Sequence, residues 1–287
     1  MVPHDRVSLA APTSWLHAHA VVPSVTLRVL TGIAEFRECV SMQESTWGGD
    51  LETVPASLLL VAAKIGGLAI GAYDAGGTLV GFVFGLSGAD AQGALHWSHM
   101  LAVSAQVRGA GIGRALKKRQ RAELASRGVH RIAWTFDPLQ SRNAHLNINH
   151  LAARVVEYVD DMYGVTTSPL HLGMATDRLV VMTGPEPVVA PSRSTSSVEG
   201  VPILTLLASG AAVPGEPLPT TMLVEVPWDI ENIAGSDATL AARWRDATRR
   251  HFRFGLASGF TVSGFVADPE TRRAYYRFTR ASQIEAR

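Results

Sequence analysis

One stretch constrains the fold of this chain more than any other: Ala102–Gln120, AVSAQVRGAGIGRALKKRQ. A strand-like apolar segment runs into glycines at 109, 111 and 113, and then into a basic run of helical character. Glycine at alternate positions costs backbone entropy and is an expensive way to obtain shape alone. Between a strand end and a helix start it has a second use. Backbone N–H groups with no intrahelical partner, and the positive end of the helix dipole, can face an anion there. Arg108 and Arg114 add positive charge on either side. The stretch fits neither nucleotide fingerprint. Gly-x-Gly-x-x-Gly would require glycine at 114 or 116, where Arg114 and Leu116 stand, and the Gly-Lys-Ser/Thr end of a P-loop is absent. The expectation is a diphosphate cradle.

Patterning places the cradle within an α/β fold. A strand is expected over 25–29, a helix capped by Thr31 up to Trp47, and a second helix over 54–65. Strands at 68–73 and 78–86 are joined by the hairpin turn Asp74–Gly77. A strand over 94–103 leads into the glycine loop and a helix over 112–126. The strand Arg131–Phe136 ends at Asp137-Pro138. A helix capped by Ser141 is expected to run to Arg154, with strands at 155–158 and 178–182. Residues 184–200 are rich in Pro, Ser and Gly and read as a linker. A smaller α/β unit follows, with strands at 203–207, 222–226, 260–266 and 274–278 and a helix over 236–256. The expected division is an extension over 1–24, a domain over 25–184, a linker over 185–200 and a C-terminal unit over 201–287.

Composition narrows the function. The net charge is +1 and the 287-residue chain has no Lys/Arg-rich tail, so no nucleic-acid partner is expected. The most apolar segment, 56–73, contains Lys64 and Gly66-Gly67, so no membrane span is expected. Residues 1–24 lack the pattern of a secretory leader. Cys39 is the only cysteine, which excludes a disulfide framework and fits a cytoplasmic protein. His145 and His150 are five apart and share no α-helical face, so no metal site is expected.

Arg108-Gly109-Ala110-Gly111-Ile112-Gly113 resembles the Arg/Gln-x-x-Gly-x-Gly/Ala signature of the GNAT superfamily of acyl-CoA-dependent N-acyltransferases. The resemblance covers about residues 25–184. It includes the strand ending Leu101–Val103 and the Asn-led helix beginning near Asn143 in SRNAHLNINHL. More loosely, the chain is similar to a branch with an added C-terminal unit, some members of which are N-succinyltransferases. The implied fold is a mixed, mainly antiparallel sheet flanked by helices. The implied cofactor is acetyl-CoA or another acyl-CoA, succinyl-CoA included. The implied reaction is direct acyl transfer to the primary amine of a small molecule in a ternary complex. The alternatives are an amino acid N-succinyltransferase and a CoA-binding regulatory module without catalysis.

The resemblance assigns Arg108, Gly109, Ala110, Gly111, Ile112, Gly113 and Arg114 to the CoA diphosphate, and Leu101, Val103 and Asn143 to the pantetheine arm. Strand alternation puts His99 on the face of Leu101 and Val103, and its ordinary pKa suits a general base. His96 falls on the other face. Glu44, late in the first helix, is a second candidate base. The family's usual Tyr acid, seven residues after the Asn, is replaced by His150. Asn143, Asn147, His150 and Arg154 would form one helical stripe, from which Arg154 or Arg142 could bind a distal carboxylate. In the C-terminal unit, Arg243, Arg245, Arg249, Arg250 and Arg253 crowd one helix, where Asp246 is the nearby counter-charge. Trp228, Trp244 and Phe252 are expected core anchors. This unit either completes the acceptor pocket or forms a homodimer contact.

Overall fold

A computed structural model describes residues 24–48, 53–164, 173–184, 203–205 and 218–280. The expected N-terminal extension and linker fall almost wholly outside them. Strands β1 (Thr26–Val29), β2 (Leu68–Tyr73), β3 (Leu79–Asp90), β4 (Gly93–Val103), β5 (Arg131–Phe136), β6 (Arg154–Val159) and β7 (Arg178–Thr183) form one sheet in the order β1-β2-β3-β4-β5-β7-β6. Every pairing is antiparallel except β4 with β5. This is the mixed, mainly antiparallel sheet expected. Asp74 shapes the β2–β3 hairpin by accepting from the N–H groups of Gly76 and Thr78 at 2.9 and 2.8 Å.

Helices cover both faces. α1 (Ile33–Trp47) and α2 (Ala56–Lys64) bury Phe36, Cys39 and Leu59 against Phe82, Phe84 and Met100. Gly32, not Thr31, is the N-cap of α1. Glu35 reaches back to accept from the N–H groups of Thr31 and Gly32 at 2.7 and 2.8 Å. On the other face, α3 (Ile112–Ser126) buries Ile112, Leu116 and Leu124 against Ile70, Val83 and Ile132.

The helix after β5 departs from expectation. α4 spans only Ser141–Ala144, and a π-helical turn follows over His145–His150. Leu151 ends it, Ala152 turns the chain at φ +52°, and Arg154 already begins β6. The stripe joining Asn143 to Arg154 therefore does not exist. Nor is Ser141 a cap: Gln140 takes that position, and the buried Ser141 hydroxyl donates to the Pro227 carbonyl at 2.7 Å.

A second sheet has the order β10-β11-β9-β8, from β8 (Ile203–Leu204), β9 (Thr221–Pro227), β10 (Thr261–Asp268) and β11 (Arg273–Thr279). The unexpected α5 (Ile230–Ser236) precedes α6 (Ala238–Ala257), which is the helix expected, capped by Asp237 through the Leu240 N–H. Phe252, Tyr276 and Phe278 share a core with Trp134, Ile148 and Leu179 of the first sheet's side. Phe252 is a core anchor as expected, while Trp228 and Trp244 are half-buried beside the core.

Arg245, Arg249 and Arg253 of α6 grip carboxylates from before the linker, not Asp246, while Arg243 and Arg250 are exposed. Arg245 binds Asp137 through two hydrogen bonds of 2.8 and 2.6 Å. Arg249 binds Asp177 at 2.9 and 2.6 Å, and Tyr158 donates to the same carboxylate. Arg253 pairs with Asp160 at 2.6 Å. Removing one partner of a buried pair strands the other charge. Arg245→Leu is therefore expected to lower the unfolding free energy by about 3 kcal/mol in urea denaturation. A loss below about 1 kcal/mol would mean that Arg178, 3.6 Å from Asp137, compensates by itself.

Candidate active site

β4 and β5 run parallel for only three paired residues, Leu95–Trp97 with Arg131–Ala133. Beyond Trp97, β4 pairs with β3 alone among the described residues, so within them the edge of Ser98–Val103 that faces β5 carries no strand partner. A bulge lies at the same point. Gly85 pairs with Ser98 and Phe84 with Met100, which leaves His99 as the extra residue. The bulge resets the alternation of side chains. His96 and Ser98 reach α3 through Gln120, and Leu101 and Val103 also face α3, beside Gly113. The simple alternation that grouped His99 with Leu101 and Val103, and set His96 apart, thus fails. His99 is exposed at the point where the strands part, and partial desolvation lowers its pKa.

The glycine loop closes this notch. A 3-10 turn over Ala105–Val107 follows β4, and Arg108 Nε donates to the Val103 carbonyl at 3.0 Å. Gly109 and Gly111 lie at φ +85° and +82°. Gly111 is the N-cap of α3, and a Cβ there would meet nothing within 4 Å, so backbone conformation requires glycine, not crowding. Gly113 differs: a Cβ would make ordinary contacts at 3.6 and 3.8 Å with Leu101 and Val103. The chain's own packing leaves room for alanine at 113. No side chain caps α3, so the N–H groups of Ile112, Gly113 and Arg114 have no intrahelical acceptor. Arg114 Nε is buried and has no hydrogen-bond partner. Free N–H groups, an orphaned guanidinium nitrogen and a helix N-terminus together suit a phosphate-bearing ligand.

Across the notch, the π-helical turn brings together two histidines that an α-helix would separate. Their Nε2 atoms are 3.1 Å apart and their rings meet edge to face. The hydrogen-bond directions follow from Asn149. Its Oδ1 accepts from the Phe265 N–H and its Nδ2 donates to the Phe265 carbonyl, so the amide orientation is fixed. The same Nδ2 donates to His145 Nδ1 at 3.0 Å. His145 must then carry its proton on Nε2 and donate it to His150 Nε2. Burial first, and His150 second, push the His145 pKa down to about 4, so this ring is neutral near pH 7. The proton of a neutral His150 then sits on Nδ1. Asn147, expected on the polar stripe, is buried and accepts from Trp134 Nε1 at 2.9 Å. Asn143 at α4, Arg142 beside it and Glu44 on the last turn of α1 are exposed.

Behind β4 lies a polar chain that sequence reasoning did not find. Lys117 Nζ donates to Ser98 Oγ at 2.7 Å, and Ser98 donates to Gln120 Oε1 at 2.9 Å. Gln120 Nε2 then faces His96 Nε2 at 3.1 Å, so His96 carries its proton on Nδ1, toward Ser87 Oγ. Gly85 makes room for the ring: a Cβ there would stand 2.2 Å from His96 Nε2. Burial, then the charges of Lys117 and Arg127, push the His96 pKa down to about 4. Burial alone pushes that of Lys117 down to about 7. One signal for Lys117 was present in the sequence: it lies one helical turn beyond Gly113, on the face that meets the sheet.

Residues 39–146 match the model of the Acetyltransferase (GNAT) family. That match covers the stretch from α1 through the glycine loop to the start of the π-helical turn. Solved structures similar to it include a GNAT superfamily phosphinothricin acetyltransferase from Sinorhizobium meliloti in complex with AcCoA. That protein is 18% identical, with 62% of this chain and 95% of that one covered, at a TM-score of 0.46. The ribosomal-protein-S18-alanine N-acetyltransferase from Escherichia coli is 14% identical over 56% of this chain and 94% of its own, at a TM-score of 0.45. A search of curated proteins returns no significant match. The GNAT match stops at residue 146, within the π-helical turn, so His150 and the second sheet lie outside it.

The buried bases make stability depend on pH. The unfolded chain binds protons at His96 and His145 near pH 6.5, whereas the folded chain refuses them until about pH 4. Stability is thus expected to fall as pH drops from 6.5 to 4, by about 3 kcal/mol for His96 alone. Lys117 acts the same way between its ordinary 10.5 and about 7, so stability is expected to rise with pH in that window. Urea denaturation across pH measures both slopes, and His96→Asn should flatten the acidic one.

Proposed function

We propose that this protein transfers an acyl group from an acyl-CoA to the primary amine of a small molecule by direct attack in a ternary complex. The observation that carries this reading is the unpaired edge of β4 opening beside the glycine loop. An extended pantetheine arm can pair with that edge as a further strand would, with Leu101, Val103 and Asn143 as its contacts. The N–H groups and side chains of Arg108–Arg114 would hold the diphosphate. Bound acyl-CoA supplies a thioester carbon open to attack.

The chain's own groups manage the protons. An amine arrives as its ammonium ion and must lose a proton before its nitrogen forms the new C–N bond. His99 stands where β4 leaves β5, and its lowered pKa keeps the ring neutral and able to accept that proton near pH 7. Glu44 is the second candidate. Breaking the C–S bond releases a thiolate, which a neutral His150 can stabilise by donating a hydrogen bond from Nδ1, since its Nε2 accepts from His145, while solvent returns the proton. The larger contribution is alignment of amine and carbonyl.

CoA and acetyl-CoA are expected to raise the melting temperature, with little effect from NAD or ATP. No shift with CoA would overturn the reading. Thiol release across an amine panel, run with acetyl-CoA and succinyl-CoA, then measures transfer and acyl preference. Binding without thiol release would instead identify a CoA-binding module. His99→Ala is expected to lower kcat about 100-fold with unchanged CoA binding, and an unaltered kcat would remove His99 as the base.

A further inference from the structure

Only two cationic side chains among the described residues are classed as buried, Lys117 and Arg245. Arg245 meets the Asp137 carboxylate through two hydrogen bonds. Lys117 has no such partner. Its ammonium donates to the neutral Ser98 hydroxyl and sits 4.2 Å from the centre of the Trp134 ring. Desolvation is the only influence on its pKa, so no nearby carboxylate offsets the cost of burying the charge. The side chain is 8% exposed, and what it borders is a cavity.

That cavity, of about 120 Å³, lies between α3, β5 and the π-helical turn. Lys117, Lys118, Gln120, Arg121, His150 and Thr183 contribute its polar lining, with Trp134 as a wall, and among the described residues no Asp or Glu lines it. Lys118 and Arg121 are exposed, and Arg121 also donates to the Gly184 carbonyl at 3.3 Å. The lining contains none of the residues of the glycine loop.

We propose that this cavity is a binding site for a small free anion, a carboxylate or phosphate, whose counter-charge is Lys117. An anion entering it would give the buried ammonium the partner that Asp137 gives Arg245. Lys118 and Arg121 would draw the anion in, and the Thr183 hydroxyl offers a neutral donor beside them. The cavity shares His150 with the proposed acyl-transfer machinery, and its test with free anions uses no acyl donor.

The test titrates inorganic phosphate, acetate and succinate separately into the full chain in phosphate-free buffer. Melting temperature and calorimetry are the readouts, with sodium chloride at equal ionic strength as control. A saturable, one-to-one effect beyond that of chloride is expected for at least one anion. Lys117→Met keeps the apolar stem and removes the charge, and is expected to weaken that midpoint by about tenfold or more. Arg108→Gln, in the glycine loop, is expected to leave it unchanged. Should Lys117→Met fail to fold, Lys118→Gln combined with Arg121→Gln at the exposed mouth should weaken the midpoint about threefold. The proposal is overturned by no saturable effect in the wild type, or by a midpoint that survives these variants. It is equally overturned if Arg108→Gln alone removes the effect, since the anion then sits in the loop. A response to succinyl-CoA with none to free anions would assign the cavity to an acyl tail and also overturn the free-anion site.

Discussion

Parallel pairing that lasts three residues is the constraint on which the candidate site depends. If β4 and β5 stayed paired to their ends, every N–H and C=O of Ser98–Val103 would be satisfied within the sheet, leaving no edge for a ligand. Instead the strands part after Trp97, and the bulge at His99 falls where they part. A bulge bends the strand and increases its twist. It also puts Ser98 and His96 on the same side as Leu101 and Val103. The side of β4 that faces α3 is therefore built from one parity below the bulge and the other above it.

Parting two strands in mid-sheet opens the interior, and the second sheet covers part of the exposed end of β5. Its contacts converge on a short segment. Asp137 receives Arg245, the Pro138 carbonyl accepts from Tyr276 at 2.9 Å, and Ser141 donates to Pro227. Farther on, Phe265 of β10 fixes the Asn149 amide, which in turn fixes the protonation of His145 and the acceptor role of His150 Nε2. The C-terminal unit thereby reaches the candidate site through an ordered set of hydrogen bonds. Arg245, Arg249 and Arg253 of α6 act as clamps within the chain. Their carboxylates come from Asp137, Asp160 and Asp177, more than sixty residues earlier in the chain.

Much of this was legible before any coordinates. The helix over 112–126, the strands at 68–73 and 131–136 and the Asp74 hairpin follow from local chemistry: apolar periodicity, glycine at positive φ and an Asp that bonds its own turn. The glycine loop was legible as a turn from a strand into a helix for the same reason. The failures were of another kind. Nothing in HLNINH announces i→i+5 bonding, because the π-helical turn is held by Asn149 to β10 and by Asn147 to Trp134. His99 was placed on the wrong pattern because alternation assumes no bulge. Lys117 passed as one basic residue in a basic run, although its spacing from Gly113 pointed inward.

The sequence by itself determined most of the strand and helix order and the glycine turn into α3, whose first N–H groups lack intrahelical acceptors. Those properties arise within a few residues of one another, so a local pattern carries them. Tertiary structure alone decided which histidines meet, which nitrogens hold their protons, which carboxylates the arginines find and that Lys117 finds none. Each of these depends on groups brought within hydrogen-bond distance from distant parts of the chain. At that range the identity of the neighbour, not the residue's own propensity, sets charge, tautomer and role.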